Sequence, residues 1–288
     1  MKKLLFMLDT DAIPNSFDVV VAYDGGADHV TTVGGMNPDT VGKIIDGAIF
    51  TRSPKTKKNT ALFVTGSDMT AGEELMKAVK NYFFGDFRVS VMLDSNGSNT
   101  TAAAAAACIT RHVDAKGKKA VILAGTGPVG QRAGVMLANE GAEVVLTSRK
   151  KDRADAAAEH INAAFGTALT GAGAATPEEV AEVLDGAHIC VATGAAGVQL
   201  LAESGWESHP TLEILVDANA TPPLGIEGVG MMDRGVEKHG KICYGAIGFG
   251  ALKLELHRAC VGKLFEANDQ VFDAEQIYAV AKEMVKDY

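Results

Sequence analysis

Apolar runs of about five residues alternate with longer stretches at helical spacing along the whole chain. That rhythm predicts an α/β protein with largely parallel sheets. Leu4 to Leu8 reads as the first strand. Asn15 or Ser16 can cap a helix running through Tyr23, and Gly25-Gly26 stops it. Thr60 to Thr65 and Arg88 to Leu93 are strands on either side of a helix over Ala71 to Phe84. Asp94 and the polar residues after it open a helix centred on six consecutive alanines, Ala102 to Ala107. So little side-chain bulk lets a helix pack very close to a neighbour.

Lys116-Gly-Lys-Lys119 marks the crossing into a second domain. There the pattern runs strand Ala120 to Ala124, glycine turn, helix to Asn139, strand Glu143 to Thr147, helix Lys151 to Phe165. A short strand, a helix from Pro177, strand Ala187 to Thr193, a helix near Gln199 and strand Leu212 to Asp217 follow. A long helix from near Gly250 to about Ala267 and a tail helix from Ala274 close the series. The expected domains are 1–115, joined by helices of about 250–288, and a Rossmann-type unit over 116–249.

Composition narrows the partners rather than the fold. The chain has 288 residues, is 47% hydrophobic and carries a net charge of -9. An acidic chain repels a phosphate backbone, so no nucleic-acid partner is expected. Met1 to Leu8 imitates a signal peptide, but the apolar run is short and Asp9 and Asp11 interrupt it. No apolar stretch reaches transmembrane length, so no membrane partner is expected. Cys108, Cys190, Cys243 and Cys260 have no metal-ligand spacing and sit in apolar stretches. They read as buried free thiols, which fits a cytoplasmic protein that holds no metal.

The chemistry concentrates in Gly125-Thr126-Gly127-Pro128-Val129-Gly130, a GxGxxG between a strand and a helix. The first glycine permits a tight turn, the second admits a pyrophosphate, and the third lets helix and strand pack closely. The helix N-terminus offers amides and a positive dipole end to the phosphates. An NAD site places an acid at the end of the next strand; here stand Ser148, Arg149 and Lys150. Cations and a hydroxyl suit the 2′-phosphate of NADP. The competing reading is that both cations only decorate a helix start, where the dipole disfavours them. Thr193-Gly194 and Asn219, near strand ends, are further cofactor candidates; ordinary turn chemistry is the alternative.

Phe17-Asp-Val-Val-Val-Ala-Tyr-Asp-Gly-Gly-Ala-Asp28, Met92 to Thr101, Leu123 to Gly130, Ala220 to Gly225 and Leu252 to Cys260 carry a resemblance. With these segments the chain resembles the NADP-dependent methylene-tetrahydromethanopterin/methylene-tetrahydrofolate dehydrogenases of methylotrophic bacteria. The resemblance implies two α/β domains flanking a cleft, with residues 1–115 and 250–288 for pterin binding and oligomerisation, and a homotrimer. It implies hydride transfer from a methylene carbon to NADP, leaving the methenyl form. It also implies that Phe17, Thr101, Lys253 and His257 serve the pterin site.

The residues themselves leave more open. Phe17 can stack on a flat ring, or staple a helix start to the core, which its position favours. Thr101 lies in the first turn of the alanine helix, where it can meet a ligand oxygen or simply cap. Lys253 and His257 are spaced i, i+4 on a face continuing to Cys260 and Leu264. Charges near a buried face are unwelcome unless used; a snorkelling lysine is the bland alternative. No YxxxK occurs within residues 1–115, which speaks against water activation of the folate dehydrogenase–cyclohydrolase kind. The rivals are a shikimate-type NADP dehydrogenase and a non-catalytic NADP(H) sensor.

Overall fold

The computed structural model describes residues 1–288. In chain order the elements are β1 (Leu4–Asp9), α1 (Ser16–Asp24), β2 (His29–Val33), α2 (Gly42–Phe50), β3 (Thr60–Thr65), α3 (Met69–Tyr82), β4 (Ser90–Leu93) and α4 (Ser98–His112). Then come β5 (Lys119–Leu123), α5 (Pro128–Asn139), β6 (Glu143–Ser148), α6 (Lys151–Phe165), β7 (Thr170–Gly173), α7 (Pro177–Leu184), β8 (Ala187–Ala192) and β9 (Ile214–Asp217). The chain ends with β10 (Arg234–Lys238), β11 (Lys241–Tyr244), α8 (Ala246–Lys263), β12 (Val271–Phe272) and α9 (Ala274–Met284).

Two compact units result. One holds Met1–Thr100 with Leu254–Val280, the other Thr101–Lys253 with Ala281–Tyr288. The division falls inside α4 and α8 rather than at the Lys116 turn and Gly250. The lower part of α4 keeps company with the second unit, where His112 Nε2 lies 2.9 Å from the Tyr244 hydroxyl.

The first unit carries a five-stranded parallel sheet ordered β2-β1-β3-β4-β12. This is a doubly wound order whose direction reverses between β1 and β3. Its core gathers Leu62, Val64, Leu75, Val79, Val91 and Leu93 with Ile45 and Ile49 of α2. The second unit carries seven strands ordered β7-β6-β5-β8-β9-β11-β10. The first six reproduce the Rossmann order 3-2-1-4-5-6, reversing between β5 and β8. Only β10 is antiparallel. Ligands of open α/β sheets bind beyond the strand C-termini at such reversals.

Two expectations need correction, and one element is new. No helix forms near Gln199. The Leu200 and Leu201 amides donate to the Gly225 carbonyl, and Leu201 bridges Ile226, which holds the chain extended before a single 3-10 turn at Glu203–Gly205. Helix α8 starts at Ala246 and stops at Lys263, four residues earlier at each end, because Met231 O accepts from the Ile247 and Gly248 amides. The hairpin β10–β11 was not anticipated, although His239 (φ 50°) and Gly240 (φ 73°) form its two-residue turn. Two left-handed residues match the twist of a hairpin.

All six alanines of α4 are buried, as its lack of bulk allows. All four cysteines are buried and free. Burial pushes the Cys108, Cys190 and Cys260 thiols up to about 12 and Cys243 to about 11, so each stays protonated. No helix is long and apolar enough to cross a membrane.

Candidate functional site

In the second unit the ends of β5, β6 and β8 surround an open depression of about 350 Å³. Its walls include Thr126, Gly127, Ser148, Arg149, Arg153, Thr193 and Gly194. The volume falls in the range of small-molecule sites. The glycines divide the work differently from the expectation. The left-handed residue of the turn is Ala124, at φ 52°, not a glycine. Gly125 is required by crowding: a Cβ there would stand 2.8 Å from Ile122 O. Thr147 steadies the turn, its hydroxyl accepting from the Ala124 amide at 3.0 Å.

A Cβ on Gly130 would lie 2.6 Å from Gly125 Cα and 2.7 Å from Thr193 Oγ1. A Cβ on Gly127 would meet nothing within 4 Å, so backbone there faces open space. Pro128 and Val129 form the first turn of α5, and no side chain caps that end. Gly130→Ala is therefore expected to distort the loop and lower the melting temperature. Gly127→Ala should leave the melting temperature within about 2 °C and cut dinucleotide affinity about tenfold or more, by denying close approach. Calorimetric titration beside a melting curve separates them; equal stability loss in both variants would refute the division.

The cations also separate. Arg149 lines the depression together with Arg153, which lies in the first turn of α6. Lys150 is instead the exposed residue preceding α6 and is not on the wall. Arg153 was missed, although the basic run from Arg149 to Arg153 was the available signal. Asn219 lies elsewhere: its side chain accepts from the Thr221 amide at 2.9 Å and donates to Pro223 O at 3.2 Å. It serves the loop after β9. Burial holds the Asp217 carboxyl above the usual carboxylate range, against the pull of the Asn219 and Ile226 amides that donate to it.

In the first unit the reversal between β1 and β3 carries Phe17. Asn15 caps α1 by accepting from the Phe17 amide at 2.8 Å. The Phe17 ring is 48% exposed, so it is no core staple. Beneath it lies His257, fully buried, with ring centroids 6.5 Å apart. His257 meets the edge of buried Phe63 at 5.4 Å, and its Nδ1 lies 3.9 Å from Asp94 Oδ2. Three rings thus step outward from the core and end in an exposed aromatic face.

Asp94 ends β4 and is buried. It accepts from the Asn99 amide (2.8 Å), the Thr100 amide (3.1 Å) and the Thr100 hydroxyl (2.6 Å). The first-turn amides expected to await a ligand at Thr101 are thus taken in part by this carboxylate. Thr101 itself is half-buried on α4, and Lys253 half-buried on α8, one turn before His257.

A family model described as Methylene-tetrahydromethanopterin dehydrogenase, N-terminal, matches residues 16–96, inside the first unit. The chain is 56% identical to Bifunctional protein MdtA of Methylorubrum extorquens, over 98% of this chain and 99% of that protein. It is 29% identical to the NAD(P)-dependent methylenetetrahydromethanopterin dehydrogenase of the same organism, over 98% of this chain and 99% of the relative. In fold it resembles shikimate 5-dehydrogenase from Listeria monocytogenes, with a TM-score of 0.53 at 12% identity, covering 97% and 96% of the two chains. Quinate dehydrogenase from Corynebacterium glutamicum gives a TM-score of 0.50 at 14% identity, covering 97% and 98%. Full-length likeness to the first relative and the matched N-terminal segment establish that the chain belongs to the methylene-tetrahydromethanopterin dehydrogenase family of oxidoreductases.

Proposed function

We propose that this protein oxidises the methylene group of methylene-tetrahydromethanopterin, or of methylene-tetrahydrofolate, to the methenyl form with NADP. The observation that carries the reading is that one chain holds both the family's N-terminal segment and a Rossmann depression walled by Arg149 and Arg153. The depression fits a dinucleotide: open space over Gly127, an uncapped start to α5, and cations where NAD sites carry an acid. When bound there, the nicotinamide would supply the acceptor for a hydride leaving the methylene carbon with the C–H electron pair. The methylene carbon lies between two nitrogens whose lone pairs share the resulting positive charge, so no general base is required. The protein's task is to hold and align.

Phe17 offers a face on which a flat pterin can stack. His257, with no exposed surface, supports that ring and stands beside Asp94. Thr101 and Lys253 orient the substrate's polar groups. Lys253 contacts a carbonyl or carboxylate away from the reacting carbon, since an ammonium beside it would oppose the product cation. Ser148, Arg149 and Arg153 would hold the 2′-phosphate, and Thr126 to Val129 the pyrophosphate, with Thr193 and Gly194 completing the wall.

The shikimate-type alternative needs a free carboxylate near the first unit's strand ends. Asp9 is occupied by the Asp11 and Asn15 amides, Asp11 by Ser67, and Asp94 by α4. The test is NADPH absorbance with methylene-tetrahydromethanopterin, methylene-tetrahydrofolate or shikimate as donor. Reduction with a pterin and none with shikimate is expected. Lys253→Met should raise the pterin KM about tenfold, the loss of one charge-assisted bond, and leave the NADP KM within about twofold. NADPH binding without reduction by any donor would favour a sensor. The reading extends to a cytoplasmic homotrimer, for which sedimentation should give three times the chain mass.

A further inference from the structure

Tyr288 reaches into the start of α8. Its hydroxyl donates to the Gly248 carbonyl and accepts from the Leu252 amide at 3.2 Å. Those two groups are an i, i+4 pair, which an α-helix joins directly. A side chain that enters this ladder bends a helix and fixes the direction of the next turn. The residue after Leu252 is Lys253. We propose that Tyr288 is a positioning residue for Lys253, setting the turn of α8 from which that lysine extends. This rests on the reading of Lys253 as a pterin-orienting group.

The surroundings leave the hydroxyl in control of that turn. The preceding turn is fixed, because Met231 O accepts from the Ile247 and Gly248 amides at 2.9 and 3.0 Å. A Cβ on Gly248 would overlap the Asp233 carbonyl, so the backbones touch. Leu252 is fully buried and cannot slide outward. Tyr288 is held in turn by Arg234, whose guanidinium lies 3.6 Å from the ring centroid and donates to Tyr288 O at 3.2 Å. Stacking of a planar cation on an aromatic face suits arginine and not lysine. Without the hydroxyl, the Gly248 carbonyl and the Leu252 amide are left to each other alone. Stability then changes little, while the turn carrying Lys253 rotates.

Tyr288→Phe keeps the ring and removes the hydroxyl. The pterin KM is expected to rise about fivefold, the worth of one hydrogen bond, with the NADP KM unchanged within about twofold. In a Lys253→Met background the same substitution should add less than about twofold, since residues acting as a unit are not additive. A fivefold effect in both backgrounds, or none in the native background, overturns the proposal. Independently of turnover, protein labelled with [ε-13C]lysine should show the Lys253 signal displaced in Tyr288→Phe. That signal is assigned by its loss in Lys253→Met. An unmoved signal also overturns the proposal, whereas failure of the native enzyme to reduce NADP bears only on the proposed function. If Tyr288→Phe folds poorly, Arg234→Gln, which frees the ring, must give the same KM split and the same displaced signal; native values there overturn it.

Discussion

Arg149→Asp is expected to lower kcat/KM with NADP by about a hundredfold or more while leaving use of NAD within about tenfold of the native value. Arg149 stands on the wall of the depression at the end of β6, the position from which Rossmann proteins read the ribose 2′ group. Removing a charge-assisted bond to a 2′-phosphate costs roughly 1.5–3 kcal/mol. Placing a carboxylate beside that phosphate adds like-charge repulsion of similar size, and about 1.4 kcal/mol is a factor of ten. NAD has no 2′-phosphate, so it loses neither term and can donate its 2′-hydroxyl to the new acid. Arg153→Ala should cost about tenfold with NADP, and Lys150→Ala under about threefold, because Lys150 is off the wall. Rising salt should weaken NADP binding more than NAD binding, since Arg149 and Arg153 are exposed and screened. Steady-state rates with both cofactors decide the matter. An unaltered NADP to NAD ratio in Arg149→Asp would show that the 2′-phosphate is bound elsewhere.

Asp94→Ala is expected to destabilise the protein by about 3 kcal/mol, lowering the melting temperature by roughly 10 °C. The carboxylate is wholly buried at the N-terminus of α4, where the helix dipole favours a negative group. Its loss strands the Asn99 and Thr100 amides and leaves the Thr100 hydroxyl only the longer bond to Gly97 O, at 3.3 Å. A buried donor left without an acceptor costs about 1–3 kcal/mol. The cost of burying the charge offsets part of this, so the net figure stays below the sum of the separate losses. Asp94→Asn keeps one acceptor oxygen and should lose about half as much. Circular dichroism melting curves check both; a melting temperature within about 2 °C of native for Asp94→Ala would show that solvent replaces the carboxylate. Thr101 follows one residue after this cap, so the pterin KM should rise in the same variants.

Much of the fold was legible because buried parallel strands leave continuous apolar runs. Thr60–Thr65 is buried at every position, and its bounds in sequence and structure coincide. Helix α6 likewise begins at Lys151 and ends before Gly166, which adopts the left-handed cap. The segments that escaped notice lack such a signal. β2 at the sheet edge alternates only weakly, and β12 is two residues long. The segment near Gln199 has local helical character, but Gly225 offers its backbone a non-local partner that propensity cannot see.

The candidate sites divide along the same line. The sequence by itself determined the dinucleotide loop and the basic end of β6, because strand, glycine spacing and charge lie within some thirty consecutive residues. It also singled out Lys253 and His257, since i, i+4 spacing is a local property of one helix. Only the tertiary structure decided which cation faces the depression, that the turn's left-handed residue is Ala124, and that Asn219 serves its own loop. It alone placed exposed Phe17 over buried His257, some 240 residues apart in the chain, and set the Tyr288 hydroxyl into α8. The physical reason is that burial and side-chain direction depend on what packs across from a residue, and those partners come from distant parts of the chain. Local spacing fixes which residues share a face; packing fixes what that face meets.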